Sequence, residues 1–451
     1  MIFICTLIKK CKRMRHIQFI TLFSLVALLR PFNICAQEKS KIVDTLTYET
    51  QAGLPVAASK IYFSDSKFTI SGFGETSYIN YLGPKDTRSQ DVELYNTNLQ
   101  RFVAYAAYKP MNWMVLYAEI FAELANDGNR EWHLEYLPEV FVDFLISDYY
   151  NVRIGTHQVQ TGYINNNDEP ILFYSVNRPE VERIIIPSQW IDLGIMNYGN
   201  LTEHLKWTFS FYQGLDPLAL NGGTWLRGGR ENVLRFNFNS LIVNPSLTYT
   251  GLKDTELGFN GVWTRLGDNA SIIRDGQQVK ANSHTYLMSS YWRYTLGNWT
   301  FMTLGSLGYI QDTENLHALI EQRTEREGQV LGENVYGYYA EVGYDILPLI
   351  RGRRSKDIKS KAKSRLYNPK EVKLPVFVRY ERLNTHRTIS PELVDEDIFL
   401  SDLTAITVGL NFNPKRSIVI KANYQFRINS ALLPSGETEG DRFELGMGFI
   451  F

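Results

Sequence analysis

Residues Ile418-Val419-Ile420-Lys421-Ala422-Asn423-Tyr424-Gln425-Phe426-Arg427 read IVIKANYQFR. One parity carries Ile418, Ile420, Ala422, Tyr424 and Phe426, and the other carries Val419, Lys421, Asn423, Gln425 and Arg427. Successive side chains of a strand point to opposite faces, so this is a strand with one oily face and one charged face. The split recurs in Tyr336–Asp345, in Ile406–Phe412 and in the terminal FELGMGFIF, where Phe443, Leu445, Met447, Phe449 and Phe451 share a side. A soluble β-sandwich alternates in the same way. Run length separates the two, because sandwich strands average about 5–6 residues, whereas these runs reach the roughly 9–11 that a tilted strand needs to cross a bilayer. An open sheet edge in lipid leaves backbone groups unpaired, so such strands must close into a barrel.

Sixteen runs of this kind are expected, near 67–81, 97–109, 112–123, 134–146, 150–158, 188–199, 203–213, 240–250, 255–265, 282–296, 298–311, 334–346, 373–382, 402–413, 416–428 and 440–451. Their connections alternate. Lys109–Asn112, Ser147–Tyr150, Leu296–Asn298 and Asn413–Arg416 are tight, while 82–96, 159–187, 214–239, 312–333, 383–401 and 429–439 are long and polar. Tight periplasmic turns and long outer loops are the habit of outer-membrane barrels. The fold class expected is therefore all-β, a transmembrane antiparallel β-barrel of about 16 strands spanning 66–451. Residues 347–372 break the alternation with a basic run over Arg351–Arg365, read as a solvated periplasmic turn with anionic lipid or a periplasmic partner as the alternative.

The first 36 residues have the layout of a secretory signal. Lys9, Lys10, Lys12, Arg13 and Arg15 precede an apolar run from Ile17 to Leu29, and a cleavage site is expected near Ala36. That run is too short for the roughly 20 residues of a spanning helix. Residues 37–65 then form an expected periplasmic N-terminal extension. All three cysteines, Cys5, Cys11 and Cys35, lie within the leader, so the mature chain has no disulfide or thiolate chemistry. The leader also removes six of the 47 Lys and Arg residues, leaving 41 against 48 acids, a balance of −7 that disfavours nucleic acid. With 27 Tyr, 25 Phe and 8 Trp the chain is aromatic, yet its mean hydropathy is −0.22, which suits strands better than membrane helices.

No catalytic motif is present, and no cofactor is expected. The histidines beyond the leader, His133, His157, His204, His284, His317 and His386, are isolated from one another in sequence. Asn165–Glu169 offers oxygens without the spacing of a calcium loop. The informative residues are those of the polar parity, since a sixteen-strand interior is wide enough for a water-filled channel. They are Glu119, Glu123, Glu139, Asp143, Arg153, Glu341, Arg379, Glu381, Lys421, Gln425 and Arg427. They hydrate and salt-bridge the wall, stand as opposed acidic and basic rows that bias ion passage, or do both together. The loop 159–187 adds Tyr163, Glu169, Tyr174, Arg178, Glu180, Glu182 and Arg183, and its Ile184-Ile185-Ile186 is too apolar for a solvated segment, so it is expected to fold inward as the constriction.

Residues Glu169–Pro179 (EPILFYSVNRP) through Ile186–Gly194 (IPSQWIDLG) resemble the mid-barrel signature of the phosphate-selective porin O and P family. Gly214–Asp216 followed by Leu226–Arg230 resembles it too, as do YYAEVGYDIL, VFVRYERLNTH and TVGLNFNPKRSIVIKANYQF in the C-terminal half. The resemblance implies a sixteen-stranded, usually trimeric outer-membrane porin of a Gram-negative bacterium, with an infolded loop. Its phosphate-selective members line the pore with an arginine ladder and constriction lysines, positions that no local motif assigns here. Acidic Glu119, Glu139, Asp143 and Glu182 stand beside Arg153, Arg178, Arg183, Arg379 and Arg427, so the sign of selectivity stays open. The expected function is passive diffusion of small hydrophilic or ionic solutes, including anions such as phosphate. The alternative is a plugged barrel acting as adhesin, receptor or envelope anchor. Phe451, with Phe449, resembles the terminal signal by which such barrels are passed to the barrel-assembly machinery and on into outer-membrane lipid.

Overall fold

The computed structural model describes residues 46–129, 132–135, 139–230, 240–324, 329–351, 371–394 and 398–451, with 132–135 described as backbone. The expected leader and most of the basic run, residues 352–365, lie outside the described residues. The strands are β1 (Phe68–Tyr81), β2 (Asn98–Met111), β3 (Met114–Asn126), β4 (Trp132–Glu135 and Val140–Phe144), β5 (Asn151–Gln158), β6 (Ile191–Thr202), β7 (Leu205–Gln213) and β8 (Leu241–Tyr249). They continue with β9 (Thr255–Arg274), β10 (Gln277–Leu296), β11 (Trp299–Ile310), β12 (Asn334–Asp345), β13 (Pro375–Thr388), β14 (Asp402–Lys415), β15 (Ile418–Asn429) and β16 (Arg442–Ile450). The two parts of β4 pair with successive stretches of β3, Asn126↔Trp132 and Met114↔Phe144, so they make one strand and the count is sixteen. Short helices in the connections are α1 (Val92–Tyr95), α2 (Glu180–Ile184), α3 (Thr313–Arg323) and α4 (Leu347–Arg351).

Every strand pairs antiparallel with its sequence neighbours, and β1 also pairs with β16 from Phe73↔Ile450 to Tyr81↔Arg442. The sheet is a closed barrel. The final residue takes part in the seam, since Phe451 N–H donates to the Gly72 carbonyl at 2.9 Å and Gly72 N–H to the Phe451 carbonyl at 3.1 Å. Closure leaves no strand edge. The two parities separate as alternation requires: Phe102, Ile120, Met288, Leu307 and Ile420 are exposed on the outside, while Arg101, Glu119, Leu287, Ser306 and Lys421 are buried on the inside. An exposed apolar band is the correct solution where the surrounding solvent is hydrocarbon.

Three strand ends differ most from the sequence reading. The runs expected to end at 265 and begin at 282 instead continue as a long hairpin, β9 and β10 having 20 residues each. Asp275 and Gly276 turn its tip with φ of 53° and 74°, the pair of positive values that a tight two-residue hairpin demands. An irregularity between Leu266 and Ala270 absorbs Gly267, Asp268 and Asn269, which hid the period-2 signal. Likewise β13 runs to Thr388 rather than ending near 382.

The interior is filled by the chain itself. Residues 46–64, part of the N-terminal extension expected over 37–65, lie against the inner wall: Leu54, Val56, Ala57 and Ile61 cluster with Phe73, Val103, Tyr105, Tyr117 and Phe141. The segment crosses the tight-turn end of the barrel. On one side the Arg416 guanidinium sits 3.6 Å from the centre of the Tyr48 ring, and on the other Tyr62 Oη donates to Asp143 Oδ2 at 2.6 Å while Gln51 Nε2 reaches Tyr198 Oη at 3.2 Å. Its apolar content explains this, because burying each such side chain contributes about 1.5–3 kcal/mol. The inner face of β9–β12 carries an apolar patch for the same reason, with Val262, Leu287, Met302, Leu304 and Val335 packed with Ile184, Ile185, Ile186, Trp190, Trp225 and Leu226 of the loops.

Candidate functional site

Strand register brings opposite charges side by side. Asp143 faces Arg153, Glu341 faces Arg379 and Glu123 faces Arg101 across neighbouring strands. Arg153 Nη2 lies 2.9 Å from Asp143 Oδ2, and Arg379 bridges Glu341 at 3.0 Å and Glu381 at 2.6 Å. Acids and bases are thus interleaved at these positions instead of standing in opposed rows. All eleven polar-parity residues, Glu119, Glu123, Glu139, Asp143, Arg153, Glu341, Arg379, Glu381, Lys421, Gln425 and Arg427, are buried. Removing charges from water is costly unless they are paired, which is why each arginine here carries at least one hydrogen-bonding partner.

The segment 159–190 supplies many of the remaining partners. Arg379 Nη1 donates to Ser175 Oγ at 2.6 Å, Lys421 Nζ to the Ser175 carbonyl at 2.9 Å, and Asn423 Oδ1 accepts from Val176 N–H at 2.8 Å. Glu381 Oε2 accepts from the Glu180 amide, at the first turn of α2, at 2.6 Å, a favourable place for a carboxylate because the free amides of a helix start point outward there. Glu180 Oε1 is shared among Arg183 at 3.0 Å, Arg427 at 3.2 Å and Arg442 at 3.0 Å. Burial raises the Glu180 carboxyl, but those three guanidiniums outweigh it and hold the group well below the usual carboxylate range. Glu182 accepts from the Tyr163 and Ile164 amides and from Tyr339 Oη, at 2.8, 2.6 and 2.7 Å. It fastens the loop to itself and to β12.

Glu119 and Glu139 stand together, and Glu139 Oε1 accepts from Gln158 N–H at 2.8 Å. Next to them the loop places Asp168 and Glu169, both buried. Glu169 Oε1 accepts from Ala57 N–H at 2.6 Å and so ties loop 159–190 to the N-terminal segment. Burial pushes the Asp168 carboxyl up to about 6, and burial followed by Asp168 pushes Glu169 up to about 8. Among the described residues no group of three His, Cys, Asp or Glu is arranged to hold a metal ion, the Asn165–Glu169 stretch included.

A second centre was not singled out from sequence. Glu93, on α1 in the β1–β2 loop, receives Arg101 from β2 at 2.9 Å and Arg178 from loop 159–190 at 3.2 Å. Arg227 of the β7–β8 loop contacts its other oxygen, and Arg183 Nη2 donates to its backbone carbonyl at 3.0 Å. The surrounding cleft leaves about 30 Å³ open to water and is lined by Glu75, Arg101, Arg178, Arg183, Lys421 and Asn177. Arg178 is 7% exposed, and its Nε and Nη2 have no partner among the described residues. Arg101 sits on the inward parity of a strand whose other inward residues, Val103, Tyr105 and Ala107, are apolar, which masked it. Glu93 and Arg227 lie in loops, where periodicity is silent.

No family model matches the chain. An uncharacterized protein of Aquifex aeolicus (strain VF5) is 27% identical over 390 residues, covering 85% of this chain and 81% of its own. Among solved structures, the high-pH form of OprB from Pseudomonas putida aligns with a TM-score of 0.51 at 10% identity, over 90% of this chain and 100% of that one. A loop-deletion mutant of OmpT, an outer-membrane protein of Vibrio cholerae, aligns with a TM-score of 0.49 at 10% identity, over 86% and 100%. Identities this low speak for architecture alone. The chain has the fold of an outer-membrane β-barrel.

Proposed function

We propose that this protein is an outer-membrane channel for small hydrophilic solutes, with segment 159–190 as its constriction and a preference for anions. The observation that carries the reading is the cleft lined by Arg101, Arg178, Arg183 and Lys421 against Glu75 and Glu93, in which two donor nitrogens of Arg178 have no partner among the described residues. Guanidinium donors in a desolvated site match the oxygens of carboxylates and phosphates and discriminate by charge. Arg153, Arg379 and Arg427, with Glu119, Glu139, Asp143, Glu180, Glu182, Glu341, Glu381 and Gln425, are buried between wall and inserted segments and brace the proposed constriction. Reversal potentials across planar bilayers in a salt gradient test it. Anion selectivity is expected, and cation selectivity would refute the preference.

A second reading is favoured by one observation: residues 46–64 lie across the lumen, and the polar inner wall is buried. On that reading the barrel is plugged and serves as a receptor or envelope anchor. Correctly folded protein that passes no ions, with or without residues 46–64, decides in its favour.

A further inference from the structure

The arginine cluster of the cleft is already occupied by a carboxylate of the chain's own. Glu93 reaches Arg101, Arg178 and Arg227, which come from a wall strand and two different loops, and its backbone carbonyl takes a further bond from Arg183. On the wall, Glu75 and Glu123 each pair with Arg101. Glu93 is carried on the four-residue α1, in the loop joining β1 to β2. Convergence of that many guanidiniums on one loop carboxylate, beside a cleft with unpaired donor nitrogens, is the arrangement expected of a bound oxyanion.

We infer that Glu93 is a tethered stand-in for the permeating anion: it holds the arginine cluster in the resting state, and a solute oxyanion must share or take its place to pass. This rests on the anion-channel reading above and adds to it a residue that sets selectivity. Two consequences follow from the charge count. Glu93 neutralises part of the cluster's field, so it lowers the advantage of anions over cations. It also competes for the same donors, so it weakens binding of small oxyanions, whether phosphate or carboxylate, at the cleft.

The test uses the full chain in planar bilayers. Glu93→Gln keeps size and an acceptor oxygen while removing the charge. Relative to the parent, the expected result is a several-fold rise in anion-over-cation permeability, and a half-blocking concentration of inorganic phosphate against chloride current lower by roughly tenfold, the factor that about 1.4 kcal/mol carries. Repeating the block with acetate shows whether the site reads tetrahedral oxyanions or carboxylates. Glu314→Gln on α3, which removes a charge that partners Arg274 of the hairpin, should leave both readouts unchanged. If Glu93→Gln assembles poorly, Glu93→Asp retracts the same charge by one methylene and should shift both readouts in the same direction. Unchanged reversal potential and phosphate block in folded Glu93→Gln overturn the inference and make Glu93 a loop fastener. Cation selectivity of the parent protein instead overturns the anion preference, and the inference with it.

Discussion

Arg379 shows how the interior is held at the level of single side chains. It is 1% exposed and serves Glu341, Glu381 and Ser175 together. Arg379→Met should therefore destabilise the barrel by about 3–5 kcal/mol, because two buried carboxylates lose their counter-charge. Urea unfolding followed by heat-modifiable gel mobility reads this, and a loss below about 1 kcal/mol would mean water replaces the arginine. Glu169 predicts a pH dependence. Its folded value of about 8 and that of Asp168, about 6, both exceed unfolded values near 4.3 and 3.9. Raised carboxyls favour the fold in their neutral form, so this stability is whole below about pH 4 and drains as pH climbs through 6 and then 8. The thermal midpoint in detergent should fall from pH 6 to pH 9, and Glu169→Gln should flatten that fall. Parity alone puts Glu341, Arg379 and Glu381 on one wall. It cannot say that Ser175, some two hundred residues away, arrives between them.

At the scale of elements, the strands were legible and the inserted segments only partly so. Alternation is a local property and needs no knowledge of partners, so β14, β15 and β16 stand out at once in the sequence. The N-terminal segment has no such period. Its signal was composition: Leu54, Val56, Ala57, Ala58 and Ile61 are more apolar than a solvated tail requires, and all are buried. Ile61→Asp should release it, since an unpaired charge among Phe73, Tyr105 and Tyr117 costs several kcal/mol. Trypsin would then cut at Lys60 in a barrel that otherwise keeps its gel mobility, and single-channel current should rise. Unaltered current after release would show that the segment does not lie on the conducting path.

For the molecule as a whole, the controlling fact is closure. The seam between β1 and β16 includes the last residue, with its two backbone bonds to Gly72 and its ring 6.0 Å from Phe102. Deleting Phe451, or appending a polar tail, should reduce the amount of assembled barrel more than the conductance of those that assemble. Quantitative immunoblots of membrane fractions beside single-channel records measure the two separately, and normal membrane levels would refute it. Sixteen strands could be counted from sequence because lipid enforces one pattern on every outward face. The lumen obeys no such rule. Its wall is charged where arginines and acids meet and apolar where loops pack, and only the fold decides which.

The β9–β10 hairpin carries strands about ten residues longer than a bilayer crossing requires, which at about 3.3 Å per residue is a reach of roughly 33 Å. Its tip is vacant space: nothing lies within 4 Å of where a Cβ on Gly276 would stand. The turn stands open, while the hairpin below it is braced by α3, where Arg274 reaches Glu314 and Asn315 and Ile273 N–H donates to Gln322. An epitope inserted between Asp275 and Gly276 would report the topology and surface level of the assembled barrel without touching the residues through which it works.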